Sequence, residues 1–305
     1  MRRSSSAPPP PEAKQFRVRH FAGAAAHAGT LEHLRVAHLT DLHVGRVTPF
    51  KVQQAAVQLT NAAKPDLIAI TGDFVCHSQL YLDQLTEVVR GFEAPVVCVL
   101  GNHDYWSGAT EVQRALARAG AAVLMNQNTT IEVRGQRLQL VGLDDAYTGH
   151  ADRAAAIRGL DPKLPMLGLS HIAEEADGLW AAGVPLVLSG HTHAGQVTLA
   201  RLHELAIGKM AGHRYVHGLY GARASGGAVY VGAGVGASVM PLRVGERGRR
   251  EITVFELGKQ PGTIPEHHQE QPPGPGRKPS PRVQYERAAK VVARERRRAR
   301  RGERS

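Results

Sequence analysis

The chain has 305 residues, 42% of them apolar, enough for one large domain or two small ones with a sizeable core. Its formal charge of +11 is unevenly placed: residues 1–33 carry five Lys/Arg against two acids, residues 259–305 thirteen against five, and residues 34–258 twenty of each. The balance excludes a generally basic body and assigns the cationic character to the two ends. Two cysteines, Cys76 and Cys98, each in or beside an apolar run and without a Cys-x-x-Cys partner, read as reduced thiols rather than as a disulfide or thiolate ligands. Met1-Arg2-Arg3 is followed by Pro8 to Pro11 and by Lys14, Arg17 and Arg19 rather than by an apolar h-region. No run of about eighteen apolar residues occurs. The expectation is a soluble cytoplasmic protein.

Residues 1–33 read as a basic, Pro/Ala-rich leader, partly disordered, with one edge strand around Phe16–His20. Leu34–Thr40 alternates towards Asp41-Leu42-His43. Residues 48–63 place Val52, Ala55, Ala56 and Leu59 at helical spacing, and Leu67–Thr71 is a short continuous apolar run, as expected of a strand covered on both faces. A helix over 79–91, a strand over 95–100 and a helix over 109–119 complete an alternating series that argues a parallel α/β unit. Ala121–Asn126 is a further strand. Thr129–Val133 and Arg137–Val141 then form a hairpin about Arg134-Gly135-Gln136. Pro165–Ser170 leads into His171, a helix over 173–182 follows, and Pro185–Ser189 leads into Gly190-His191. Ala228–Val231 and Ile252–Glu256 read as late antiparallel strands. Residues 34–258 are thus one domain, with two facing mixed sheets flanked by helices. Seven prolines between Pro261 and Pro281 make 259–282 a linker, and 283–301 a basic segment able to become helical on a partner.

The chemistry-bearing residues gather where strands stop. Asp41 and His43, Asp73, Asn102, His171, and His191 and His193 each follow an apolar run. Carboxylate, amide and imidazole donors together suit divalent ions: Mn²⁺ first, with Zn²⁺, Fe or Mg²⁺ as alternatives. Ligands beyond the carboxyl ends of parallel strands fall at one sheet edge. In Asp-x-His and His-x-His, alternate residues of an extended segment would point the same way. A pair of ions about 3.5–4 Å apart can share a bridging hydroxide and hold a phosphoryl oxygen. Asp73 lies between the two groups of donors in sequence and is the natural bridge.

Asp41-Leu42-His43, Gly72-Asp73, Gly101-Asn102-His103-Asp104, His171 and Gly190-His191-Thr192-His193, in that order, resemble the calcineurin-like metallophosphoesterase superfamily over about residues 34–258. Ala194-Gly195-Gln196 stands where a small bacterial branch has Gly-Gly-Gln. Leu219-Tyr220-Gly221, Val231–Gly236 and Pro241-Leu242-Arg243 also resemble that branch. The resemblance implies a four-layer αββα fold and a binuclear-metal-dependent hydrolase of a phosphomonoester, phosphodiester or pyrophosphate, working by attack of a metal-bridged hydroxide. One ion would be held by Asp41, His43, Asp73 and His193, the other by Asp73, Asn102, His171 and His191. His103 would lie over the phosphate, with Asp104 in support. A lipid-linked or nucleotide-sugar substrate fits the resemblance to membrane-associated members. A nucleic-acid phosphodiesterase and a non-catalytic metal-binding scaffold are the alternatives. The basic tails suit peripheral association with the anionic inner membrane face; without interleaved aromatics, nucleic acid is the less favoured partner.

Asp144 and Asp145, at the end of a strand, are candidates for the pocket lining. His150, His203, His213 and His217 read as ordinary loop histidines, and Arg243 as a surface salt-bridge former. Gly232, Gly234 and Gly236 resemble a phosphate cradle, but no Lys-Ser/Thr follows to make a nucleotide P-loop.

Overall fold

The computed structural model describes residues 10–195, 212–221, 227–237, 243, 248–264 and 273. Two six-stranded sheets face one another. The first has the order β1 (Phe16–Ala22), β12 (Arg250–Leu257), β2 (Leu34–Leu39), β3 (Leu67–Thr71), β4 (Val96–Val99), β5 (Ala122–Val123). The second runs β10 (Gly218–Tyr220), β11 (Ala228–Val231), β9 (Leu186–Ser189), β8 (Met166–Ser170), β7 (Gln136–Leu143), β6 (Gln127–Val133). Strands β2 to β5 are parallel, as are β7, β8, β9 and β11. The antiparallel pairings lie at the margins: β12 on β2, β10 on β11 and β6 on β7.

Alternation along each strand builds the layers. Val36, Leu67, Ala69, Val97, Val99, Leu140, Leu167, Leu169, Leu186, Leu188 and Phe255 point between the sheets and form the central core. Ala37, Leu39, Ile68, Ile70 and Cys98 point the other way, against α1 (Phe50–Ala62), α2 (Leu82–Arg90) and α4 (Ala109–Arg118). Val141, Leu143, Met166, Val187 and Val229 do the same on the opposite side, against α5 (Arg153–Ala156) and α6 (Ala176–Trp180). The result is the four-layer αββα sandwich.

Several local expectations need correction. Ala228–Val231 is antiparallel only to β10; its other neighbour, β9, is parallel to it. The strand expected over 121–126 shrinks to two residues, because Asn126 turns at φ 54° to enter the hairpin. That hairpin closes on Arg134 and Gly135 alone, both left-handed at φ 53° and 73°, the geometry that matches strand twist. Immediately after β4 the chain forms an unexpected short helix, α3 (Asn102–Ser107), whose first turn is pinned by the Asp104 Oδ2 acceptor for Gly101 N–H at 2.9 Å.

The described part of the leader belongs to the fold. Phe16–Ala22 is the edge strand β1, parallel to β12, and Phe21 and Leu31 lie in the central core. At this margin Glu251 of β12 is buried and bridges the sheets. It accepts from Tyr230 Oη at 2.6 Å, faces His217 Nε2 at 3.0 Å and lies 3.7 Å from Arg19. His217, in the bend before β10, is therefore a buried partner of a carboxylate and not a surface histidine. The Pro-rich linker beyond Ile264 and the basic tail lie outside the described residues, save Pro273. Among the described residues no helix is long and apolar enough to cross a membrane.

Candidate metal centre

The carboxyl ends of β2, β3, β4, β8 and β9 meet at one edge of the sandwich, and each hands over to a loop carrying expected donors. The loops are not extended. Asp41, His43, Asp73, His191 and His193 have φ between 43° and 76°, a region that costs a non-glycine residue about 1–3 kcal/mol. Asp41 and His43 therefore converge because the backbone coils there, which corrects the expectation from extended alternation. Backbone bonds hold the coil: Asp41 N–H donates to Gly72 O at 3.0 Å and His43 N–H to Asp73 O at 2.9 Å.

Packing explains the motif glycines. A Cβ on Gly190 would overlap Thr40 Oγ1, and one on Gly101 would overlap Asp73 Oδ1. On Gly72, at φ 83°, it would lie 2.7 Å from both Gly101 N and His171 Nδ1. Gly232, Gly234 and Gly236 serve the same end: added carbons there would strike Thr40, Asp41 and Leu42. This glycine-rich loop is a close-packed floor beneath the first motif, not a phosphate cradle.

All seven expected donors come together, in two groups that meet at Asp73. Donor atoms of Asp41, His43, Asp73 and His193 lie within 4.8 Å of one another, as do those of Asp73, His171 and His191. Asn102 Oδ1 completes the second group, 3.2 Å from His171 Nε2 and 2.9 Å from His191 Nδ1. Asp73 Oδ2 faces His171, His43 and His103 at 3.4, 3.7 and 3.9 Å, while its Oδ1 accepts His103 N–H at 2.9 Å.

The arrangement fits cations. Asp41 Oδ2 accepts from Thr40 Oγ1 and His191 N–H, yet its fully buried Oδ1 has no hydrogen-bond partner and points among His43 and His193. A buried, unpaired carboxylate oxygen is costly unless a positive charge meets it. His171 Nδ1 lies 2.7 Å from Thr71 O and donates there, so Nε2 turns to the cluster. Burial would lower this imidazole, but the Asp73 carboxylate beside it raises it to about 10, leaving on Nε2 a proton that a bound cation would replace.

Burial sets the protonation states. It pushes His43 and His191 down to about 3 and His193 well below the ordinary value, leaving neutral imidazoles able to donate lone pairs. Burial alone would raise Asp73, but His171 beside it holds that carboxyl far below the usual range. Burial raises Asp41 to about 7, with His171 pulling it down and Asp73 pushing it up.

The remaining expectations divide. His103 sits on α3, half-buried at the cluster's open side, its ring 4.7 Å from that of His43. Asp104 is fully buried behind it and accepts backbone N–H groups from Phe74, Val75 and Gly101, so it positions two motif loops. Asp144 accepts from Tyr105 Oη at 2.5 Å and Asp145 from Thr148; both are buried beneath the rim. His150 stacks on Tyr105 at 3.7 Å. His213 pairs with Glu174 at 3.2 Å, its ring 5.5 Å from His191. His203 lies outside the described residues. Arg243 is half-buried against the centre: it donates to Ala233 O at 2.8 Å and reaches His193 Nδ1 at 3.4 Å, and burial lowers it to about 9.

Three neighbours of the centre carried little sequence signal. Cys76, three residues after Asp73, has its sulfur within 4.8 Å of donor atoms of His43 and His103. Trp106 and Tyr147 stand at the opening, with only the three-residue step from His103 to Trp106 along a helix as a hint.

Two facing sheets whose strand ends gather carboxylates and imidazoles around Asp73 define a metal-dependent hydrolase of phosphoric esters. The chain belongs to the calcineurin-like phosphoesterases: that family's sequence model matches residues 34–195. It is 32% identical over 231 residues to Phosphodiesterase YaeI of Escherichia coli (strain K12), covering 73% of this chain and 82% of that one. To Uncharacterized metallophosphoesterase YkuE of Bacillus subtilis (strain 168) it is 30% identical over 229 residues, 73% and 78% of the two chains. A bovine relative, Transmembrane protein with metallophosphoesterase domain, is 29% identical over 257 residues, 76% of this chain and 54% of that protein.

Proposed function

We propose that the protein is a binuclear phosphoesterase, in which Asp41, His43, Asp73 and His193 hold one divalent ion and Asp73, Asn102, His171 and His191 the other. The observation that carries this reading is the presence of Asp73 in both donor groups. Bound ions would supply Lewis-acid polarisation of the phosphoryl oxygens and a nucleophile at neutral pH. The chain's own residues do the rest. Thr71 O and Thr40 orient His171 and Asp41; His103, tethered through its N–H to Asp73, presents its ring to the leaving oxygen and stabilises the charge that develops there. Asp104 holds the loops of Asp73 and Asn102 in register and so acts through them.

Mn²⁺ is the ion we put first. The purified protein with Mn²⁺ should cleave an aryl phosphate or a bis-aryl phosphate and contain about two ions per chain by elemental analysis. Asp73→Ala should abolish hydrolysis and lose metal; a metal-loaded protein inert to every ester tried, or an Asp73→Ala variant retaining both ions, would overturn the reading. For the substrate we favour a lipid-linked or nucleotide-sugar phosphate, met at an anionic membrane surface to which the basic tails are drawn. The relative named as a transmembrane protein supports a membrane setting for such a domain.

A further inference from the structure

We infer that Trp106 and Tyr147 form a subsite that holds a planar, aromatic group near the phosphorus in preference to a saturated one, which of the two substrates proposed suits the nucleotide sugar rather than the lipid-linked phosphate; the inference rests on that reading of the centre. Among the described residues the exposed large hydrophobic side chains are Leu80, Trp106 and Tyr147, at 89%, 52% and 50%. Two of them touch histidines of the cluster. Trp106 projects from α3 with its ring centre 4.8 Å from that of His103, and Tyr147, in the loop after β7, lies 5.2 Å from His191. The two rings meet edge-to-face at 6.1 Å. They therefore form one continuous aromatic corner, running from the residue assigned to the leaving oxygen to a donor of the second group.

The corner is held in place. Trp106 stacks on His77, the two rings 4° from parallel with their centres 5.5 Å apart. Gln79 Nε2 donates to Ser107 O at 2.8 Å, tying the turn that carries Leu80 to the end of α3. Half-exposed Trp and Tyr leave apolar ring surface in water, and a ligand ring that covers it gains the burial of both. An edge-to-face pair presents π faces and ring edges, which reward a flat ring over an equally bulky saturated one. A phosphate held at the cluster places its substituent against this corner.

Phenylphosphonate and cyclohexylphosphonate, which match in size and charge and cannot be hydrolysed, make the test on the Mn²⁺-loaded protein by calorimetry. The expected result is roughly tenfold tighter binding of the phenyl compound, lost in Trp106→Ala and in Tyr147→Ala and kept in Trp106→Phe. Equal affinities in the parent protein would overturn the proposal, as would variants that weaken both compounds alike. Variants that leave the phosphonate ratio intact but reduce sedimentation with phosphatidylglycerol vesicles would overturn it in favour of a lipid contact. Turnover of an aryl phosphate in a parallel assay separates the two readings: bound phosphonates with no ester hydrolysed defeat the phosphoesterase, not the subsite.

Discussion

His103 and Asp104 are adjacent in the chain and opposite in role, and the difference lies in what their side chains meet. His103 faces the open side of the cluster, and its backbone N–H is given to Asp73. Asp104 turns inward to three backbone N–H groups. Removing the first should leave metal in place: His103→Ala is expected to lower kcat by about 10²–10⁴-fold with metal content unchanged. Asp104→Ala instead strands three buried donors, at a cost of about 1–3 kcal/mol for each. Its lower thermal midpoint and lower metal content together should distinguish it from the histidine variant. Gly190 gives a steric prediction at the same scale. A methyl there collides with Thr40 and crowds Asp41 Oδ2 at 2.6 Å. Gly190→Ala should cost about 1–3 kcal/mol and weaken metal binding, measured by unfolding with and without Mn²⁺.

At the level of elements, strands β1, β12, β11 and the chain leading to β10 are joined through Glu251. Burial alone would raise this carboxyl, but His217, Arg19 and the Tyr230 hydroxyl hold it well below its ordinary value of 4.5. A depressed folded-state value means that the carboxylate stabilises the fold above about pH 4.5, the unfolded value, and that this is lost as pH falls towards the folded one. Glu251→Gln should therefore be destabilised at pH 7, by about 3–5 kcal/mol because Arg19 and His217 lose a buried partner. Its stability should also fall less steeply than that of the parent below pH 4.5. Urea unfolding at a series of pH values measures both, and parallel curves would remove Glu251 from the acid transition.

For the whole molecule, metal and fold should be coupled, because Asp41 and Asp73 are buried together. An ion present at a thousandfold excess over its dissociation constant adds about 4 kcal/mol. Chelation should then lower the thermal midpoint by about 10 °C, and in Asp73→Ala by much less. The tails act separately. Removing residues 259–305 is expected to leave hydrolysis of a soluble aryl phosphate intact and to abolish salt-sensitive binding to anionic vesicles. Retained vesicle binding, or a loss confined to DNA, would transfer the tail's role elsewhere.

The order of the strands and the gathering of candidate donors at their ends were legible in the sequence because both follow local rules. Leu67–Thr71 must be buried on two faces, α1 must present Val52, Ala55 and Ala56 to one side, and the donors of the centre stand where such runs stop. Other features had no local signal. Arg243 reads as a surface residue until the fold brings its guanidinium to His193, and His217 as an ordinary histidine until β12 brings Glu251 to it from 34 positions away. The free Oδ1 of Asp41, the Thr71 carbonyl that fixes His171, and the Trp106–Tyr147 corner all join segments distant in sequence. Sequence by itself determined which residues could bind metal and at which sheet edge they would lie, since side-chain chemistry and strand polarity are carried residue by residue. Tertiary structure alone decided which oxygen lacks a partner, which imidazole nitrogen turns to the cluster and what surrounds its mouth. Those depend on ångström-scale contacts between loops that only the packed sandwich brings together.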